Sequence, residues 1–233
     1  MIKTRLKILR DRVICKLGLA SSGQLKELIY QGIFSSICAR MNISNKYYPV
    51  GSAANYSLLY LVSRIIEENE IKRVLELGAG QTTILLNELS RKKNFSVDSF
   101  EDDAFWAEEI QKSTGHHIHC QKLVPFQWKG RTGLAYDFST LEKEDQFDLL
   151  IIDGPMGTSG YSRLGAIQLL KNNLAGEFII IFDDAERKGE MQTVEVCKSL
   201  LRQKSIRLFE HRVIGLKTQH ILATEKFKKI TFY

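Results

Sequence analysis

Val74-Leu75-Glu76-Leu77-Gly78-Ala79-Gly80-Gln81-Thr82-Thr83 decides how this chain is read. An apolar run with one carboxylate crosses a tight Gly-x-Gly turn and continues into Ile84-Leu85-Leu86-Asn87-Glu88-Leu89. The pattern predicts a buried strand, a glycine turn and a helix. Glycines reach backbone angles closed to other residues and let a ligand approach the main chain closely. The N–H groups that open the helix can hold a polar ligand group. The stretch therefore predicts a ligand cradle on a parallel sheet.

Downstream of the cradle the chain alternates. After the strand at 72–77 and helix at 82–92, strands are expected at 95–101, 117–124, 147–152 and 177–182. Helices are expected at 104–113, 161–172 and 188–203. Two last strands, 206–211 and 220–224, are separated by Gly215 with no helix between them, which predicts a hairpin. Residues 125–146 are polar and irregular, with Pro125, Gly130 and Gly133, and leave room for a small extra element. The fold class that follows is α/β: a Rossmann-like, doubly wound, mainly parallel seven-stranded sheet with a terminal antiparallel hairpin and an N-terminal helical extension.

Upstream, Ile2, Leu6, Leu9, Val13, Ile14 and Leu17 recur at helical spacing over 2–18, with basic residues between them. Ser21-Ser22-Gly23 then opens a helix over 24–41, and residues 42–51 form a loop containing Tyr47-Tyr48. A further helix starts at Ser52 and runs to Asn69. Residues 1–46 are thus a basic helical segment and 47–233 the α/β domain.

Charge separates the same two parts. The net charge is +6, yet residues 1–46 hold nine Lys/Arg against Asp11 and Glu27, a net of +7. The remainder is almost balanced, so the basicity belongs to the N-terminal segment. It suits that segment to a membrane surface, an acidic glycan or nucleic acid, or simply to a solvated helix face. No run reaches the ~18 apolar residues of a membrane span, and the first residues lack the apolar core of a secretory signal. Cys15, Cys38, Cys120 and Cys197 are scattered, with no Cys-x-x-Cys pair, so neither a structural zinc site nor a disulfide framework is expected. These features suit a cytoplasmic, at most membrane-peripheral, protein.

In an open α/β sheet, ligands bind beyond the carboxyl ends of the strands. The predicted ends there are Gly78 and Gly80, Glu101, Asp153, and Asp183-Asp184. Glu101 lies 21 residues past Gly80, where an acid can accept hydrogen bonds from both hydroxyls of a ribose. The third glycine of a dinucleotide turn is missing, since position 83 is Thr. A nucleoside ligand without a pyrophosphate fits this better than NAD.

With Glu76-Leu77-Gly78-Ala79-Gly80 and Glu101, residues 47–233 resemble the class I S-adenosylmethionine-dependent methyltransferases. The resemblance implies that Glu76, Gly78 and Gly80 line the methionine end of the cofactor and that Glu101 binds its ribose. It makes Ala79, Thr82, Asp102 and Asp153 further cofactor-binding residues. Phe147-Asp148-Leu149-Leu150-Ile151-Ile152-Asp153-Gly154-Pro155, Arg163-Leu164-Gly165-Ala166 and Phe182-Asp183-Asp184-Ala185-Glu186-Arg187 resemble a subgroup associated with polysaccharide and glycan modification, including the plant glucuronoxylan methyltransferase domain. In metal-dependent catechol and sugar O-methyltransferases, an Asp after the fourth strand and a pair after the fifth bind Mg²⁺. The resemblance carries that role to Asp153, Asp183 and Asp184, with Asp153 and Asp183 catalytic. Catechol-type enzymes have a catalytic Lys where this chain has Met156, so the general base stays unassigned.

The chemistry is consistent with that set. A sugar hydroxyl is a poor nucleophile near neutrality, and a divalent cation held by carboxylates lowers its pKa and orients it. Three clustered carboxylates repel one another without a cation or a shared proton. The alternative is that Asp183 caps the next element and Asp153 touches only cofactor or substrate. Arg163 and Arg187 follow the acidic strand ends and suit an acidic sugar or phosphate, or pairing with nearby acids. Tyr47 and Tyr48 could cover the cofactor or simply pack. His211 is a candidate base, and His116-His117-x-His119 reads as a strand edge.

The expected function is methyl transfer to a sugar or polysaccharide hydroxyl, on a small-molecule or glycan substrate. Nucleic-acid methylation is the alternative, but strand four ends Asp-Gly-Pro rather than in the aromatic pattern that stacks a flipped base. A non-catalytic module docking to a membrane assembly through residues 1–20 is the third reading.

Overall fold

The structure, a computed structural model, describes residues 22–49 and 53–233. The expected helix over 2–18 and the expected helix start at Ser52 lie outside these residues. Six α-helices are described: α1 Ser22–Met41, α2 Tyr56–Glu68, α3 Gln81–Lys93, α4 Ala104–Thr114, α5 Ile167–Asn172 and α6 Lys188–Gln203. The strands are β1 Arg73–Leu77, β2 Ser96–Glu101, β3 Ile118–Cys120, β4 Val124–Trp128, β5 Arg131–Ala135, β6 Phe147–Ile152, β7 Leu174–Phe182, β8 Phe209–Ile214 and β9 Thr218–Ala223.

Seven strands form one sheet in the order β3-β2-β1-β6-β7-β9-β8, and β4-β5 form a separate hairpin. Within the sheet β9 alone runs antiparallel to both its neighbours. The order reverses between β1 and β6, which opens the crevice where such sheets bind ligands.

Alternation along the central strands explains why the sheet is covered on both faces. Val74, Leu149, Ile151, Ile179 and Ile181 face one core cluster, with Leu58, Leu61 and Ile65 of α2 and Leu85 and Leu89 of α3. Leu75, Leu150, Ile152, Ile180 and Phe182 face the other, with Ile167 and Leu170 of α5 and Val194, Cys197 and Leu201 of α6. Both faces of β6 are therefore apolar, and all six of its residues are buried. Phe34, Ile37 and Cys38 of α1 join the first cluster, so residues 22–46, set apart by charge, pack into the body.

Four local expectations are corrected. The helix expected over 161–172 is only a 3-10 turn, Leu164–Ala166, followed by α5. Tyr161 and Arg163 there adopt positive φ, 48° and 60°, so the chain turns before a helix can form. The strand expected over 117–124 stops at Cys120, and Val124 instead starts the β4-β5 hairpin, turned by Lys129 and Gly130 at positive φ. β7 begins at Leu174 rather than 177. The last two strands slide to Phe209–Ile214 and Thr218–Ala223, where cross-strand pairing fixes their register.

Candidate active site

The glycine turn follows β1. Gly78 has φ of 91°, and a Cβ there would lie 2.8 Å from the Gly154 nitrogen. A side chain is excluded twice, by the backbone angle and by the approach of the β6 end. Gly80 N–H donates to Thr83 Oγ1 at 2.8 Å, and Thr83 Oγ1 donates to Glu76 Oε2 at 2.6 Å. Ser99 Oγ donates to the same oxygen at 2.9 Å. Glu76 is fully buried and lines neither of the two cavities beside the turn. It holds the turn from beneath, one layer behind the position the resemblance implied. Burial pushes its carboxyl up to about 7 against the pull of the hydroxyl donors.

Glu101 ends β2. Its Oε2 accepts from Ala79 N–H at 3.0 Å, and its Oε1 accepts from Asp102 and Asp103 N–H, both at 2.9 Å. The expected ribose acid thus ties the glycine turn to the β2-α4 loop. Asp102 stands beside it on the cavity wall and accepts from Tyr136 Oη at 3.2 Å. Asp103 caps α4, and Trp106 Nε1 donates to Ala79 O at 2.7 Å.

Two cavities meet at Gly78, Ala79 and Asp153. The larger, about 450 Å³, runs from Glu101, Asp102 and Tyr136 to Arg163, Asp184, Arg187 and Lys217. The smaller, about 340 Å³, is lined by Tyr48, Gln81, Thr82 and Trp106. The first turn of α3 opens onto it, and a Cβ on Gly80 would meet nothing within 4 Å. The two tyrosines part company: Tyr47 packs on Phe34 in the core, whereas Tyr48 is 71% exposed at the cavity.

The acids at the ends of β6 and β7 converge. Asp153, Asp183 and Asp184 each offer an oxygen within 4.8 Å of the others, as a shared cation would require. Side chains already supply the cations. Arg163 Nη2 donates to Asp153 Oδ1 at 3.3 Å and Asp184 Oδ2 at 3.0 Å. Its Nη1 donates to Asp183 O and Ile152 O, and its Nε to Pro155 O. Its donor fork is spent inside the protein, so no free edge faces a substrate. Lys217 Nζ lies 3.2 Å from Asp183 Oδ2 and 3.6 Å from Asp184 Oδ1. Gln219 Nε2 donates to Asp183 Oδ1 at 2.6 Å, leaving Asp183 fully buried behind the cavity wall. Arg187 Nη1 reaches Asp184 Oδ2 at 2.8 Å while remaining about half exposed.

Three carboxylates thus face Arg163, Lys217 and Arg187, and the cluster is balanced by its own cations. A divalent ion demands close oxygen ligands in ordered geometry. It would have to displace two mostly buried cations, so the donor set in this arrangement does not fit one. Burial and the neighbouring Asp183 raise the Asp153 carboxyl well above the usual carboxylate range, against the pull of Arg163 and Lys217. Those carboxylates hold Lys217 and Arg163 protonated, outweighing burial, which favours the neutral forms.

Lys217, Tyr136 and Trp106 were not among the expected site residues. Lys217 sits in the β8-β9 turn, where Gly215 N–H donates to Lys217 O, and no local motif marks it. The histidines lie elsewhere: His119 pairs with Asp98 and stacks on Phe100, and His211 contacts Tyr233 O.

The sheet order and the cleft at its switch point have counterparts among solved structures. The SAH-bound methyltransferase PaMTH1 of Podospora anserina superposes with a TM-score of 0.52 at 13% identity, covering 83% of this chain and 88% of that one. The chain has a methyltransferase fold. A Staphylococcus aureus protein provisionally assigned as a caffeoyl-CoA O-methyltransferase matches with a TM-score of 0.50 at 12% identity, over 94% of this chain and 98% of its own. No family model and no curated protein matches the sequence.

Proposed function

We propose that the protein is an S-adenosylmethionine-dependent methyltransferase that acts on a hydroxyl of a sugar or glycan. One observation carries the reading: Asp153 and the Gly78–Ala79 main chain form the wall shared by two cavities. The larger runs from a polar end at Asp102 and Tyr136, suited to a ribose, to the charged side chains of Arg163, Arg187 and Lys217, and the smaller opens on the first turn of α3, suited to an amino acid carboxylate. The bound cofactor would supply an electrophilic methyl group on a sulfonium.

In this reading the chain's own residues divide the work. Asp102 and Tyr136 hold the ribose end beside Glu101, whose carboxylate ties the loop to the glycine turn. The α3 N-terminus and Gln81 receive the amino acid carboxylate. Trp106 and Tyr48 wall that end and exclude water. Asp153 stands where the cavities meet, and its raised proton affinity suits it to take the proton of an acceptor hydroxyl. Lys217 places a fixed positive charge beside the acceptor site, favouring the developing alkoxide. Arg163 positions Asp153 and Asp184. Arg187 keeps an exposed edge for an acidic group on the acceptor.

The divalent-metal role drawn from the resemblance is not part of this step, because Arg163 and Lys217 already bind oxygens of all three carboxylates. A glycan acceptor is supported by the Asp-Gly-Pro and Asp-Asp-Ala-x-Arg segments and by the polar, charged acceptor end of the cleft. The test is turnover with radiolabelled S-adenosylmethionine against neutral and uronic-acid oligosaccharides, with and without EDTA. Transfer to oligosaccharide that survives EDTA is expected. Transfer only to nucleic acid, or none to any sugar, would overturn the acceptor class.

A further inference from the structure

α1 is apolar on both sides. Its inner side buries Phe34, Ile37 and Cys38. On the outer side Leu25, Leu28, Ile29 and Ile33 are 52%, 64%, 62% and 40% exposed. Their spacing, one turn apart, aligns them in a single aliphatic stripe. A helix that covers a protein surface ordinarily turns polar residues outward.

The orientation is pinned rather than accidental. Glu27, on the inner side, is 7% exposed. Its Oε1 accepts from Asn55 Nδ2 at 2.7 Å and from Leu216 N–H at 3.1 Å, and its Oε2 from Ser57 N–H at 3.1 Å. Rotating α1 to bury the leucines would pull this carboxylate away from all three donors. The stripe therefore faces outward as a consequence of the core, and it is available to a partner.

Charge identifies the partner. The stripe follows directly on residues 1–21, which carry Lys3, Arg5, Lys7, Arg10, Arg12 and Lys16 against Asp11 alone, with Ile2, Leu6, Leu9, Val13, Ile14 and Leu17 between them. Lys26 is exposed on α1 itself. Aliphatic side chains with many cations and few acids match a surface that is negative outside and apolar just beneath. Among the described residues no helix is long and apolar enough to cross a membrane.

We propose that the outer face of α1 docks the protein on an anionic phospholipid surface, the stripe entering the headgroup layer without spanning it. This inference stands apart from the methyl-transfer reading and survives its failure.

The test is co-sedimentation of the full chain with phosphatidylcholine vesicles and with vesicles also containing phosphatidylglycerol. Binding is expected only to the anionic vesicles, weakening with salt. The double variant Leu28→Glu/Ile29→Glu should partition roughly tenfold or more less well, since it replaces two inserted aliphatic groups by charges. Leu28→Trp gives a second readout that does not depend on the double variant folding: its emission should shift to the blue on anionic vesicles. Equal binding of the double variant, no binding to anionic vesicles, or an unshifted tryptophan would overturn the proposal. So would a self-associated form that the double variant converts to monomer, which would assign the stripe to a second copy.

Discussion

The Lys217 ammonium lies 3.2 Å from the carboxylate of Asp183, whose side chain is fully buried. It joins the hairpin between β8 and β9 to the end of β7, and it puts a side-chain cation where the sequence resemblance implies a metal. Removing the ammonium leaves a buried charge without its partner, which costs roughly 3 kcal/mol. Lys217→Ala is expected to lower unfolding free energy by about that amount in urea titration and to lose turnover. The wild type should turn over equally with and without EDTA. An EDTA-sensitive enzyme would return the cluster to metal chemistry.

The two arginines should behave differently although both follow an acidic strand end. Arg163→Lys cannot reproduce a fork that reaches Asp153, Asp184 and three carbonyl oxygens. A loss of about 2 kcal/mol in stability, together with lost turnover, is expected. Arg187→Ala should cost about 1 kcal/mol, less than Arg163→Lys: its side chain is half exposed and Asp184 keeps Arg163 and Lys217, although the buried Glu190 loses its cation. It should raise KM for an acidic acceptor about tenfold with kcat little changed, an effect absent for a neutral acceptor. Equal effects of the two substitutions on stability would contradict this division.

Glu76 makes stability depend on pH in a known direction. Its folded-state carboxyl titrates near 7, raised by burial from an ordinary 4.5. Between those values the folded protein keeps a proton that the unfolded chain has released. Its contribution to stability therefore falls as pH rises through that window and is level above it. Glu76→Gln removes the titration, so its stability relative to wild type should increase by about 3 kcal/mol between roughly pH 4.5 and pH 8. The shifts of His116 and His220 are common to both proteins and cancel in the difference. Parallel stability curves would show that Glu76 is ionised throughout.

The features of the fold and site that are legible in the sequence share one physical basis, local pattern. The near-continuous apolar runs of 147–152 and 177–182 follow from strands buried on both faces, and the acids at their ends had to converge beyond the sheet edge. The Gly78 turn was legible because positive φ against a neighbouring backbone needs glycine. What escaped depends on distant contacts. Arg163 meets Asp153 and Asp184 because the chain turns left-handed at Tyr161 and Arg163, where the residue pattern reads as helix. Lys217 reaches Asp183 because of the register of β9 against β7. Glu101 is occupied by three backbone donors that only the folded loop presents.

The cleft around Gly78 and Asp153 is assigned as the S-adenosylmethionine site, and calorimetric titration of that compound into the full chain is the test of the assignment. One site per chain with micromolar affinity is predicted for the wild type, with loss of binding in Asp102→Ala, which sits on the cavity wall. The absence of binding heat at high micromolar ligand, or affinity unchanged in Asp102→Ala, would contradict it.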